Sequence, residues 1–303
     1  PAYTGTSEVR FTTAGSVPIG GRIEVELPSL TGLQAGWQVG ASASVVFSEP
    51  AEDTPVVTEA VWLEAGGRRV GFKIAGNEIQ QRTDVTFTIS HVTTPTRQVG
   101  AASETSIWTY DSLGNIIDSA SDVSTDAITV GDLTGVLRYD MHSDLVHFTG
   151  LAKVSFTTAG HIPVGGHIRV VLPHIFGAHR GWSVVHPNIT FVLPSEGPPL
   201  AGLLSEHGGR NFTFEVASSA IAQQTAVVFV LTNVTTPTRR VGQLNGTTLM
   251  GMDSEDNLIG VSYARRTDDT FAGSLVNVDG FDAAVDTPSF RHSARVSFMV
   301  GGH

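Results

Sequence analysis

Apolar and polar residues alternate one by one through much of this chain, as in Arg22-Ile23-Glu24-Val25-Glu26-Leu27, Asp84-Val85-Thr86-Phe87-Thr88-Ile89 and Asn211-Phe212-Thr213-Phe214-Glu215-Val216. A period of two sends successive side chains to opposite faces, so each run predicts a strand with one buried face. The runs are rich in Val, Ile, Thr and Phe and end at Gly, Pro, Asn or Asp, the pattern of short strands joined by turns. Helical periodicity is confined to a turn or two near residues 76–81 and 218–223. Roughly seven to nine strands fall in each half of the chain, too many for one comfortable sheet. The expected fold is therefore all-β, with immunoglobulin-like (Greek-key) β-sandwich domains in tandem; an up-and-down barrel is the weaker alternative.

The halves repeat one another. Val9-Arg10-Phe11-Thr12-Thr13-Ala14-Gly15 with Val17-Pro18-Ile19-Gly20-Gly21 returns as Val154-Ser155-Phe156-Thr157-Thr158-Ala159-Gly160 with Ile162-Pro163-Val164-Gly165-Gly166. Val92-Thr93-Thr94-Pro95-Thr96-Arg97 likewise returns as Val234-Thr235-Thr236-Pro237-Thr238-Arg239. Such a period is that of whole domains, not of a solenoid. A third copy starts at Ala294-Arg295-Val296-Ser297-Phe298. These matches predict one repeat over 1–143, a second over 144–285, and over 286–303 the opening strand of a third repeat or a strand donated to another subunit, with Ala294, Val296, Phe298 and Val300 facing assembly. Gly131-Asp132-Leu133-Thr134-Gly135 reads as the end of the first sandwich. The Pro-Ile-Gly-Gly and Pro-Val-Gly-Gly segments read as tight turns, and so does Asp111-Ser112-Leu113-Gly114-Asn115, whose counterpart Asp253-Ser254-Glu255-Asp256-Asn257 lacks the glycine.

Composition narrows the function. The chain has 303 residues, a formal net charge of −11, 41% apolar and 16% charged residues, so it is expected to be ordered. Its Lys and Arg are scattered, which argues against nucleic acid. There is no stretch long and apolar enough to span a bilayer, and any secretory leader or anchor is expected outside these residues. No cysteine occurs, which removes disulfides, thiol nucleophiles and thiolate-bound metals.

Candidate chemistry is sparse. His161, His167, His174, His179, His186 and His207 crowd the second unit, but without HxH or HExxH spacing, and solvated histidines are the expectation. Acidic turns at 49–53, Asp111, Asp253 and Asp268-Asp269 match no calcium-loop spacing. No Gly-x-Ser-x-Gly elbow or phosphate-cradling loop is present. The expectation is a protein that is not an enzyme and needs no cofactor. Asn188-Ile189-Thr190, Asn211-Phe212-Thr213, Asn233-Val234-Thr235 and Asn245-Gly246-Thr247 are N-glycosylation acceptor patterns, all in the second unit. Their use would mean eukaryotic secretion.

The series Phe-Thr-Thr-Ala-Gly-x-hydrophobe-Pro-hydrophobe-Gly-Gly, with the later Val-Thr-Thr-Pro-Thr-Arg and Asp-Ser-x-x-Asn, resembles the tandem β-sandwich repeats of large extracellular and cell-surface proteins of microbes, including algae. The resemblance covers roughly 9–118 and 154–260 and implies a surface or fibre-forming role; it carries over no catalytic residue. The expected function is a structural component of an extracellular filament or cell-surface fibre, glycosylated, whose partners are further copies of itself. An adhesin or carbohydrate-binding surface protein is the second reading. The first sandwich reads as lacking nothing for a donor strand to replace, so covalent continuation is expected over exchange between subunits.

Overall fold

The computed structural model describes the chain except residues 31–35, 52–53, 58–60, 176–180, 196–199, 207–208, 284–293 and 300–303. Unit 1 contains β1 (Thr4–Thr12), β2 (Arg22–Glu26), β3 (Gln38–Val39), β4 (Val45–Glu49), β5 (Val56–Val57), β6 (Trp62–Glu64), β7 (Arg69–Ala75), β8 (Asp84–Thr93), β9 (Thr105–Tyr110) and β10 (Ile116–Val123). One sheet runs β1-β8-β3 with β4 also on β8; the other runs β10-β9-β2-β7-β5 with β6 also on β7. The chain thus crosses repeatedly between two sheets, and their inner faces enclose Ile23, Val25, Val70, Phe72, Phe87 and Ile107. This is the β-sandwich that the alternating pattern predicts.

Unit 2 repeats the plan with β11 (Gly131–Asp132), β12 (Thr134–Met141), β13 (Thr149–Thr157), β14 (His167–Val171), β15 (Ser183–Val184), β16 (Ile189–Leu193), β17 (Leu200–Glu206), β18 (Asn211–Val216), β19 (Ala226–Thr235), β20 (Asn245–Met252) and β21 (Leu258–Arg266). Its sheets run β11-β21-β20-β14-β18-β17 and β12-β13-β19-β15, with β16 on β19. At matched points of the two cores stand edge-to-face aromatic pairs, Phe72 with Phe87 at 5.1 Å and Phe214 with Phe229 at 4.9 Å between ring centroids. Trp37 and Trp182 are buried. A last two-stranded sheet pairs β22 (Val276–Ala283) with β23 (Ala294–Met299). No helix among the described residues is long and apolar enough to cross a membrane.

The repeated motifs have identifiable work. Gly20 and Gly165 have φ of 80° and 78°, and Gly21 and Gly166 donate backbone hydrogen bonds to the Pro18 and Pro163 carbonyls at 2.9 and 3.0 Å. These are turns that need a residue tolerating positive φ. In the other acidic turn pair, Gly114 has φ 88° and Asp256 fills the same role at φ 62°. Thr94 and Thr236, from the repeated Thr-Thr-Pro-Thr segment, pin the backbone ahead of the opening strand: the Thr94 hydroxyl accepts from the Tyr3 amide at 3.0 Å, and that of Thr236 from the Phe148 amide at 2.9 Å. Thr13 and Thr158 do the same at the other end, donating to the Gln80 and Ala222 carbonyls at 2.7 Å each. The motifs therefore satisfy backbone groups where strands end.

Three expectations change. Residues 76–81 and 218–223 form turns and isolated bridges, Val17 to Ile79 and Ile162 to Ile221, not helix. Residues 131–135 do not end the first sandwich, because β11 pairs with β21 and β12 with β13, both in the second. The last sheet opens at Val276, ahead of residue 286, so it draws β22 from residues given to the second repeat, while β23 lies within 286–303.

Burial now separates two residues that the sequence treats alike. Phe156 is 2% exposed, whereas Phe11 at the matched position is only partly buried. Phe156→Ala is expected to destabilise unit 2 by about 3–5 kcal/mol, and Phe11→Ala to cost unit 1 clearly less. Urea unfolding of the two variants, followed separately for each unit, checks the asymmetry.

Candidate assembly site

The asymmetry has a structural cause. In unit 2, residues 131–141 run first along β21 and then along β13, from one sheet to the other, and close that side of the sandwich. Leu133, Tyr139 and Met141 are buried there, and the Tyr139 ring stands edge-on to Trp182 with centroids 5.6 Å apart. Burial and nearby Asp268 push the Tyr139 phenol far above its ordinary pKa, so it stays neutral, its hydroxyl 3.7 Å from the Met141 sulfur. Leu133 lies against Gly260, where a Cβ would come within 2.9 Å of it.

Unit 1 has no such strand among its described residues: β1 pairs with β8 alone and β10 with β9 alone. Two hollows of about 300 and 330 Å³ adjoin along β1 and share Ile107. Phe11 and Ile117 line one; Val9, Leu27 and Trp37 line the other. Their counterparts Phe156, Ile259, Val154, Leu172 and Trp182 are each at most 2% exposed. At the places that residues 131–141 cover in unit 2, the described residues of unit 1 show a groove. Asp126 stands at the rim, matched to Asp268, whose carboxylate accepts from the Met141 amide at 3.4 Å.

The contact between the units is likewise specific. The His161 amide donates to the Ala2 carbonyl at 2.8 Å, and the Gln223 side chain bonds both the amide and the carbonyl of Thr4. Gly160 comes so close to the Pro1 carbonyl that a Cβ there would overlap it. At the far end of unit 1, Gln81 and Ser16 occupy the places of Gln223 and His161, and both are exposed.

Other candidate residues scatter. Among the described residues no three His, Asp or Glu side chains gather as metal ligands. His167 bonds Asp256 at 3.0 Å; His179 and His207 lie outside the described residues. Asp111 and Asp253 bind their own turns, accepting from the amides of Asn115 and Asn257; the Asn115 side chain and amide hold the Asp111 carboxyl below its usual range. On the outer face of unit 1, Arg69 pairs with Glu26 and lies 5.1 Å from the Trp108 ring, and the Glu26 bond raises its pKa further. Of the glycosylation patterns, Asn188, Asn233 and Asn245 are exposed, whereas Asn211 is half-buried within β18. Of the expected assembly residues, Ala294, Val296 and Phe298 lie in β23, opposite β22, and Val300 lies outside the described residues. The groove carries no signal in the sequence, because it shows only when the paired strands of the two units are compared.

No family model matches the chain, and no curated protein matches it. One solved structure it resembles is described as manganese lipoxygenase of Gaeumannomyces graminis with a partial zonadhesin of Komagataella pastoris, at 14% identity and a TM-score of 0.24, covering 89% of this chain and 91% of that one. A likeness so slight carries no argument.

Burial, together with the charges of Asp140 and Asp144, raises the pKa of Asp268. A carboxyl whose pKa is higher folded than unfolded costs stability when ionised, so its penalty is present above the folded pKa and is relieved as pH falls towards the unfolded value. Asp268→Asn is expected to raise the thermal midpoint of unit 2 at pH 7, with the difference from wild type shrinking towards pH 4. Thermal melts across that range check it.

Proposed function

We propose that this chain is a structural subunit of an extracellular filament or cell-surface fibre, glycosylated, whose job is assembly and not turnover of a substrate. The observation that carries the reading is the recurrence of one junction. β22 pairs with β23 in the register of β12 with β13: Phe281 faces Val296 as Tyr139 faces Val154, and Asp282 faces Arg295 as Asp140 faces Lys153. A contact that repeats head to tail without closing generates an open filament. Segments 131–141 double as linker and sandwich wall, which leaves little freedom between units and favours a stiff rod.

Electron microscopy of native material tests this. Unbranched fibres with an axial repeat matching the length of two sandwiches are expected; dispersed particles of two sandwiches each would refute it. Mass spectrometry of the same material is expected to find glycans on the exposed Asn188, Asn233 and Asn245 and little on half-buried Asn211. Four unmodified asparagines would remove the secretory half of the proposal.

A further inference from the structure

The outer face of the β10-β9-β2-β7 sheet of unit 1 carries aromatic side chains that the matching face of unit 2 lacks. Trp108 and Gly71 are the neighbours of Glu24 on the two adjoining strands, and Trp62 pairs with Gly71 from β6. The Trp62 indole lies so close to Gly71 that a Cβ there would overlap it. A glycine inside a strand weakens the strand, so β7 gives up stability to make room for this ring. Around Glu24 the polar groups hold one another. Arg22 Nε stands 2.9 Å from its carboxylate, and the Tyr110 hydroxyl donates to it at 3.1 Å. The Arg22 guanidinium lies 4.1 Å from the centre of the Tyr110 ring, and that of Arg69 lies 5.1 Å from Trp108. Trp62, Trp108 and Tyr110 remain partly exposed. At the matched positions unit 2 has Leu204, Met250 and Met252, with Thr213 for Gly71. The same sheet thus forms without the aromatic residues, and the packing of the sandwich does not account for them.

We propose that this face of unit 1 binds a neutral β-linked glucan chain. A β-linked glucopyranose holds its hydroxyls and its linkages near the plane of the ring, so the ring shows flat C–H faces above and below and the chain runs as a ribbon. Indole rings have negative π faces that attract such polarised C–H groups, and an open sheet face suits a ribbon better than a compact ligand. The hydroxyls along the ribbon's edges need donors and acceptors in fixed places. Glu24, its side chain 9% exposed, presents a carboxylate; Arg22 and Arg69, 35% and 34% exposed, present N–H donors. Because these groups already hold one another, little side-chain freedom is lost when a ligand arrives. Charge points the same way. Arg22, Arg68, Arg69 and Lys73 stand with Glu24, Glu26 and Glu64, close to balance, so the surface does not select a polyanion. The site stands apart from the filament reading, for it needs neither fibres nor glycans on the chain itself.

Electrophoresis of the whole chain through native gels containing hydroxyethylcellulose tests this, together with titration of its tryptophan fluorescence by cellohexaose. The expected results are retardation that cellohexaose competes away and a fluorescence change that saturates. Trp108→Met and Trp62→Leu install the residues that unit 2 already uses, so each is expected to keep the circular dichroism of the wild type while weakening binding at least about tenfold. Arg69→Lys, which keeps the charge but not the planar stack on Trp108, is expected to weaken binding several-fold and serves if either of the others fails to fold. No retardation of the wild type would overturn the proposal. So would retardation by dextran sulfate in place of the neutral polymer, or undiminished binding by whichever of these variants fold.

Discussion

A two-sheet sandwich has open sides, and in this protein closure of one side is the constraint on which the rest depends. Each sheet must end somewhere, and an uncovered end exposes both backbone groups and core side chains. Unit 2 meets the constraint with residues 131–141, which lie on both sheets and bring Leu133 and Tyr139 into one core with Phe156 and Trp182. The segment that joins the units is thus part of the second unit's core. Unit 1, with the same floor of Phe11, Val9 and Trp37, shows what the sandwich is like without it: a groove in place of a wall.

From this constraint follows the logic of the repeated polar residues. Thr13, Thr94, Thr158 and Thr236 do not decorate a surface; they hold the chain at the points where it enters and leaves the opening strand. Gln223 serves the same end across the boundary, binding both backbone polar groups of Thr4. Backbone groups at strand ends have no ladder partner, so a side chain in the right place must provide one. Residues free of that duty differ between units. The Arg69–Glu26 pair beside Trp108 has no counterpart at the matched positions of unit 2, which hold Asn211, Val171 and Met250.

Electrostatics adds a tension to the closing segment. Asp140, Asp144 and Asp268 stand near one another with Arg138 as counter-charge, and burial raises the pKa of Asp268 and of Asp144. The Asp268 carboxylate nevertheless anchors the Met141 amide. Hydrogen bonding to the wall and repulsion within it therefore meet at one residue, and Asp126 occupies the same position at the rim of unit 1.

Much of the architecture is legible in the residues themselves. Alternation in 22–27, 84–89 and 211–216 foretells β2, β8 and β18; the glycines after Pro18 and Pro163 foretell turns; the repeated motifs foretell two like sandwiches. Such features are local, because the period of a strand and the dihedrals of a turn are set by neighbouring residues. Residues 131–141 carry no such signal, since Gly135 interrupts the run at positive φ and the strand pairs in parallel with one partner and antiparallel with another. They read as the end of one domain and fold as the wall of the next. Which strands lie side by side depends on contacts between residues far apart in the chain, and only the packed structure decides those; the chain by itself determined the strands, their turns and their repetition, while the tertiary structure decided which of them close a core.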